Sequence, residues 1–205
     1  MTFPDDSRTG HRTPLDGTAN NALACRSMSG SGGLCHELGF APRRGNSVQM
    51  AMQRAAKTKA GSWTFQRTLY RIDRPLYRWT KGRLTVPDLA TGVPVIMLTT
   101  TGAKSGLART MPVAGIPDPD TDGIFIMGTN YAQPRTPAWV FNLEAEPRCE
   151  VSWRGRNALA VAHAVTDARE REQAWSRASE FYLGFTDYRK RISDREVRIF
   201  RLTAR

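Results

Sequence analysis

The side chains with the clearest chemical use sit in Pro94 to Pro112, which reads PVIMLTTTGAKSGLARTMP. Lys104 and Ser105 stand between Gly102 and Gly106, and Arg109 follows. An ammonium, a hydroxyl and a guanidinium on one glycine-rich turn suit an anionic group such as a phosphate, and the backbone N–H groups of Thr101 to Ser105 are expected to add donors. Arginine at 109 matters because its planar fork can hold two phosphate oxygens at once. The spacing is not that of a P-loop, in which lysine directly follows the second glycine. A surface turn with a solvated lysine is the alternative reading. Other chemistries find less support. His11, His36 and His163 belong to no nucleophile-and-base constellation. Cys25, Cys35 and Cys149 make no disulfide framework, and Cys35-His36 lacks the second ligand pair of a zinc site, so no metal is expected.

Two strands must carry that turn. Val95 to Thr100 is a compact run of β-branched and apolar residues ending at glycine, and Thr110 to Ile116 is its expected partner. Pro117 to Gly123 is a turn cluster leading to a third strand, Gly123 to Met127. Thr136 is expected to cap a helix over Pro137 to Ala145, with proline where a missing N–H costs nothing. Arg148 to Arg154 and Ala158 to Thr166 read as strands about a turn at Gly155-Arg156-Asn157. Asp167 and Glu170 have capping-box spacing ahead of a helix with Ala174, Trp175, Ala178, Phe181 and Tyr182 on its apolar face. A loop is expected at Leu183-Gly184, and Glu196 to Thr203 closes as the last strand. Five or six strands with two or three helices predict an α+β domain built on a small closed or split barrel.

Three stretches, in order, resemble the deazaflavin-dependent nitroreductase family. They are Thr99-Thr100-Thr101-Gly102-Ala103-Lys104-Ser105-Gly106 with Arg109 and Pro112, then Met127-Gly128-Thr129-Asn130, then Pro137 to Pro147. The resemblance runs from Leu84 to the C-terminus and implies a split β-barrel that binds coenzyme F-420, an 8-hydroxy-5-deazaflavin with a phosphate and a glutamate tail. By that resemblance Lys104 and Arg109, with Thr101, Ser105 and Pro112, serve the tail. Met127, Gly128 and Thr129 border the ring, and Asn130 stands where many relatives carry a basic residue, a place Arg135 is a candidate to fill. Ala138, Trp139 and Asn142 present the helix beside the cofactor. Tyr182, Phe185 and Tyr188 occupy the aromatic substrate pocket, with Tyr188 and Thr129 as the catalytic hydroxyls. Plain aromatic packing is the alternative for the last three, and a core tryptophan the alternative for Trp139. The implied activity is hydride transfer to an activated alkene, a quinone or a nitro compound. An FMN-binding split-barrel oxidoreductase and a non-catalytic carrier of cofactor or lipid are the rivals.

Charge sets the remaining expectations. Thirty Lys and Arg against nineteen Asp and Glu give +11, carried mostly by arginine. Nine of the basic residues and a single acid fall between Val48 and Arg83. Phe65, Leu69, Ile72, Leu76 and Trp79 share one helical face there, with Arg67, Arg71, Arg74, Arg78 and Lys81 nearly opposite and Pro75 expected to kink the helix. Residues 65–83 therefore read either as a helix docked on the barrel or as a peripheral contact with an anionic membrane. No DNA- or RNA-binding motif accompanies the charge, so nucleic acid is not expected. Residues 1–47 are rich in Ser, Gly, Thr, Asn and Pro and are expected to be unstructured, unless translation starts at Met50 or Met52. The expected organisation is a disordered extension over 1–47, a basic helical segment over 48–84 and the barrel over 85–205. No secretion signal or spanning segment is read, and a cytoplasmic site, with peripheral attachment at the inner membrane face, is expected.

Overall fold

The computed structural model describes residues 32–42, 92–182 and 184–205. The basic stretch 48–84 lies outside the described residues. Six strands, β1 (Val95–Thr101), β2 (Ala108–Asp118), β3 (Gly123–Met127), β4 (Arg148–Trp153), β5 (Arg156–Ala164) and β6 (Ile199–Ala204), form the body of the protein. They close into an antiparallel barrel in the order β1-β2-β3-β6-β5-β4. The predicted α+β barrel is therefore present, and its hairpin pairs Thr100 with Arg109 and Thr101 with Ala108.

Period-two alternation explains how the strands choose their faces. Ile96, Leu98, Ile124, Ile126, Val151, Ala160, Phe200 and Leu202 point inward and build the barrel core. On β3 the intervening Phe125 and Met127 are buried too, because helix α3 (Ala168–Phe181) and helix α4 (Gly184–Arg191) cover that outer face. Asp167 caps α3 as expected, accepting from the Glu170 N–H at 2.9 Å. The Glu170 carboxylate does not return the bond; it reaches Arg201 on β6 at 2.6 Å.

Helix α2 (Ala138–Ala145) closes the barrel at the end where β1 and β3 finish and β2 begins, with Trp139, Val140 and Leu143 joining the core. Pro137 takes the N-cap place and no side chain caps the helix, so Thr136 does not play the role expected of it. The β4–β5 turn falls one residue earlier than expected, at Arg154 and Gly155 with φ of 48° and 85°, the pair of left-handed residues that a two-residue hairpin turn requires. Helix α4 was not expected at all: its Gly184 start reads as a loop signal, and its apolar residues Phe185 and Tyr188 are three apart on a single short face.

The other end of the barrel corrects the largest expectation. Residues 32–42 are not unstructured: they form a five-residue helix, α1 (Leu34–Leu38), and a plug. Leu34, Cys35, Leu38 and Phe40 are each no more than 2% exposed and belong to the barrel core. Phe40 meets Trp153 edge-on at 5.1 Å. The Cys35 N–H donates to the Asp122 carbonyl at 3.0 Å and the His36 N–H to Asp122 Oδ2 at 3.2 Å, tying the plug to the β2–β3 turn. Averaged composition hid it, because four apolar residues are diluted by a polar neighbourhood. So short a helix also has no stability of its own without the barrel beneath it.

Candidate functional site

The β1–β2 tip presents Lys104, Ser105 and Arg109, all exposed, at the α2 end of the barrel. Neither cation forms an ion pair among the described residues, whereas Arg148, Arg189, Arg198 and Arg201 are all bound to carboxylates. The tip amides are mostly spent on the turn itself. Gly102 N–H donates to Leu107 O at 2.9 Å, Ser105 and Gly106 N–H both donate to Gly102 O, and Ala103 N–H donates to Asn142 Oδ1 at 3.0 Å. The expectation of a row of free backbone donors therefore fails, and an anion here would rest on the two cations and the Lys104 N–H. That donor set, cationic and without a competing carboxylate, fits a phosphate.

Asn142 is a clamp. Its Oδ1 takes the Ala103 N–H and its Nδ2 donates to Thr100 Oγ1 at 2.9 Å, so the amide ties the hairpin to α2. Trp139, 7% exposed, lies in the core against Phe200 at 6.0 Å and has little surface to offer a ring. Met127 is buried in the outer cluster under α3 and α4. Ala138, at the exposed start of α2, and Thr101, at the exposed end of β1, are open to a ligand. Pro112 is exposed on the outer barrel wall opposite Met97, away from the tip. Gly128 lets β3 and α2 meet, since a Cβ there would stand 2.9 Å from Val140 Cγ2.

After Gly128 the backbone turns the wrong way for L-residues. Asn130, Tyr131 and Ala132 have φ of 49°, 54° and 59°, a left-handed turn with no glycine in it. Each such residue costs about 1–2 kcal/mol, and strain of this kind gathers where a ligand must be met. Thr129, 7% exposed, leads into the turn, and its hydroxyl has no hydrogen bond among the described residues. Asn130 Nδ2 donates to Arg135 O at 2.8 Å, so this amide supports its own turn more than it serves a tail carboxylate. Tyr131 is 45% exposed.

Helix α4 packs against this turn and brings the aromatic residues to it. Tyr182, Phe185 and Tyr188 stack edge-on around one another at 5.8–5.9 Å. Gly184 makes room for them: a Cβ there would lie 2.1 Å from Tyr182 Cε1. Burial first, then the neighbouring and hydrogen-bonded Tyr182, pushes the Tyr188 phenol well above the ordinary tyrosine range, with Tyr131 adding to the effect. The fold thus gathers two groups at one end. Lys104, Ser105, Arg109, Thr101 and Ala138 form an exposed rim that carries two cations. Thr129, Phe185 and Tyr188, all buried, lie beside half-buried Asn130 and Tyr182 as a largely aromatic wall. Sequence reasoning missed Tyr131 and Arg195, the latter bound to the turn's carbonyls, because nothing in Asn-Tyr-Ala announces a left-handed turn. No helix among the described residues is long and apolar enough to cross a membrane.

The chain aligns with solved structures of the same architecture. A domain-swapped dimer matches with a TM-score of 0.50 and 25% identity, over 70% of this chain and 99% of that one. An F420-H2 dependent reductase matches with a TM-score of 0.48 and 28% identity, over 53% of this chain and 93% of that one. Two F420H(2)-dependent quinone reductases of Mycobacterium tuberculosis are each 34% identical over 86 residues, 41% of this chain and 54% of the relative. The chain thus spans about half the length of the curated relatives it matches. A family profile matches residues 69–204, both groups of site residues included, and by it the chain belongs to the F420H(2)-dependent quinone reductase family.

Proposed function

We propose that this chain is an oxidoreductase that binds reduced coenzyme F-420 at the α2 end of the barrel and delivers its hydride to a quinone. The reading rests on Lys104 and Arg109 at the rim, without ion pairs among the described residues and beside an aromatic wall, in a member of an F420H(2)-dependent family. When bound, the deazaflavin supplies the hydride. The chain's own residues bind, orient and keep water away.

Lys104 and Arg109 would grip the phosphate, with Ser105 and the Lys104 N–H in support. Thr129 would meet the ring at the end of β3. Tyr182, Phe185 and Tyr188 would hold a flat quinone between edges. A quinone that gains a hydride must also gain a proton. Tyr188 stays a neutral phenol far above neutral pH, so it serves as a hydrogen-bond donor to the acceptor oxygen. Half-buried Tyr182, its ring 5.9 Å from that of Tyr188, lies between that donor and solvent, the source of the proton. Activated alkenes and nitro compounds accept hydride by the same geometry and stand as further candidate substrates.

The test is a side-by-side titration with F-420 and FMN, followed by turnover with menadione. Saturable F-420 binding, weaker FMN binding and quinone-dependent oxidation of reduced F-420 are expected. Preference for FMN would overturn the cofactor reading, and tight F-420 binding without turnover on any acceptor would show a carrier.

A further inference from the structure

The left-handed turn is held from behind by one side chain. Arg195, on the segment between α4 and β6, donates from Nη1 to Gly128 O at 3.0 Å and from Nη2 to Thr129 O at 3.0 Å. Nη2 and Nε also reach Gln133 O at 3.3 and 3.4 Å. These carbonyls flank the three strained residues on both sides. From within, Ala132 N–H donates to Thr129 O at 3.0 Å and Gln133 N–H to Asn130 O at 2.9 Å. Arg195 has no ion pair among the described residues. Burial, with Arg198 nearby, lowers its proton affinity, so three carbonyl dipoles take the place of a carboxylate.

We propose that Arg195 is a positioning residue: its guanidinium holds the Thr129–Gln133 turn left-handed and so sets Tyr131 as the outer wall of the quinone pocket, against Tyr188. Two observations converge on this. A planar five-donor fork is the group that can span several carbonyls at once, which an ammonium cannot. Tyr131 is both half exposed and close enough to Tyr188 to influence its titration. The role assigned to Tyr131 rests on the proposed function; the role assigned to Arg195 in shaping the turn does not.

The experiment compares wild type with Arg195→Ala, Arg195→Lys and the double variant Arg195→Ala with Ala132→Gly. Hydrogen exchange at the Ala132 and Gln133 amides is read in the protein without cofactor. KM for menadione, kcat and the Kd for F-420 are then measured. Arg195→Ala should lose protection at those two amides by roughly ten- to a hundredfold, the loss of one charge-assisted bond, and KM for menadione should rise more than the Kd for F-420. Glycine adopts positive φ freely, so Ala132→Gly should restore much of the protection and of kcat/KM. Wild-type exchange in Arg195→Ala, or no restoration by Ala132→Gly, overturns the proposal. Should Arg195→Ala fail to fold, Arg195→Lys decides: unchanged exchange there also overturns it. If wild type does not bind F-420, the functional reading falls while the exchange measurement still judges Arg195.

Discussion

Asn142 permits a prediction that separates holding the site from forming it. It is 8% exposed, and it bonds two partners whose surroundings differ. Ala103 N–H is on the exposed tip, where water replaces a lost acceptor. Thr100 is 1% exposed, and its hydroxyl would be left without Nδ2. A net hydrogen bond is worth about 0.5–1.5 kcal/mol, and a buried polar group stripped of its partner costs about 1–3 kcal/mol. Asn142→Leu, of similar branched shape, should therefore destabilise the fold by about 2–4 kcal/mol. Thr100→Val alone should cost a similar amount by orphaning Nδ2. Removing both partners leaves nothing buried unsatisfied, so the double variant should cost less than either single one, with a coupling energy of about 3 kcal/mol or more, at the top of the usual range.

Cofactor binding should follow a different pattern. Asn142→Leu frees Ala103 and with it the loop that carries Lys104, in the single and the double variant alike. Ordering one released residue on binding costs about 1–2 kcal/mol, so F-420 affinity should fall by a factor of about 5–30 in both. Thr100→Val keeps the Ala103 bond and should bind normally. Urea unfolding and F-420 titration of the four proteins make the cycle. Additive stabilities would refute the clamp, and a Thr100→Val protein as weak in binding as Asn142→Leu would refute the tether to Lys104.

Two further outcomes can be checked with the same proteins in hand. Phe40→Ala should cost about 3–5 kcal/mol, the range for emptying a packed aromatic site, while leaving F-420 affinity unchanged, because the plug closes the barrel end remote from Lys104; wild-type stability in urea would show that the plug does not hold the barrel. Burial pushes the Cys149 thiol up to about 12, from an ordinary value of about 8.5; the folded protein keeps its proton longer than the unfolded chain, so this contribution to stability is whole below about pH 8.5 and is lost progressively above it. Thiol-specific labelling at pH 8 should spare Cys149 until the protein unfolds, and prompt labelling of the native state would contradict the burial.

The strands were legible because each carries a run whose period matches its place. Ile96, Leu98 and Thr100 alternate inward, and the fully buried β3 reads as an unbroken apolar segment. The rim was legible for a different reason: cations beside glycines mark a turn with a charge to use, and three motifs in order tied that turn to a family. The plug was not legible, since its four core residues gain their burial from strands far along the chain. Helix α4 was hidden because Gly184 serves Tyr182 by giving space to its ring, a tertiary reason that looks like a loop signal locally. Arg195 was hidden for a deeper cause. Its partners are backbone carbonyls, which every sequence supplies, and the turn that aims them is made by residues that ordinarily avoid it.

The motif residues divide by what they face, into exposed groups open to a ligand and buried groups that hold the fold. Lys104, Ser105 and Arg109 face solvent, and the two cations have no carboxylate partner among the described residues, which suits the proposed grip on a phosphate. Asn142, Gly128, Met127 and Trp139 share the same motifs but are spent inside the protein: on a clamp, a close approach, the outer cluster and the core. Both kinds are bound to one function, since a rim of like charges cannot hold itself together. Lys104 and Arg109 are two like charges on one hairpin, and neither has a carboxylate among the described residues to offset it. Fixed packing must supply that stability, which α2 gives through Asn142 and the barrel gives through Thr100. Under the proposed function a ligand phosphate would supply the missing counter-charge, at a place the described residues leave without one.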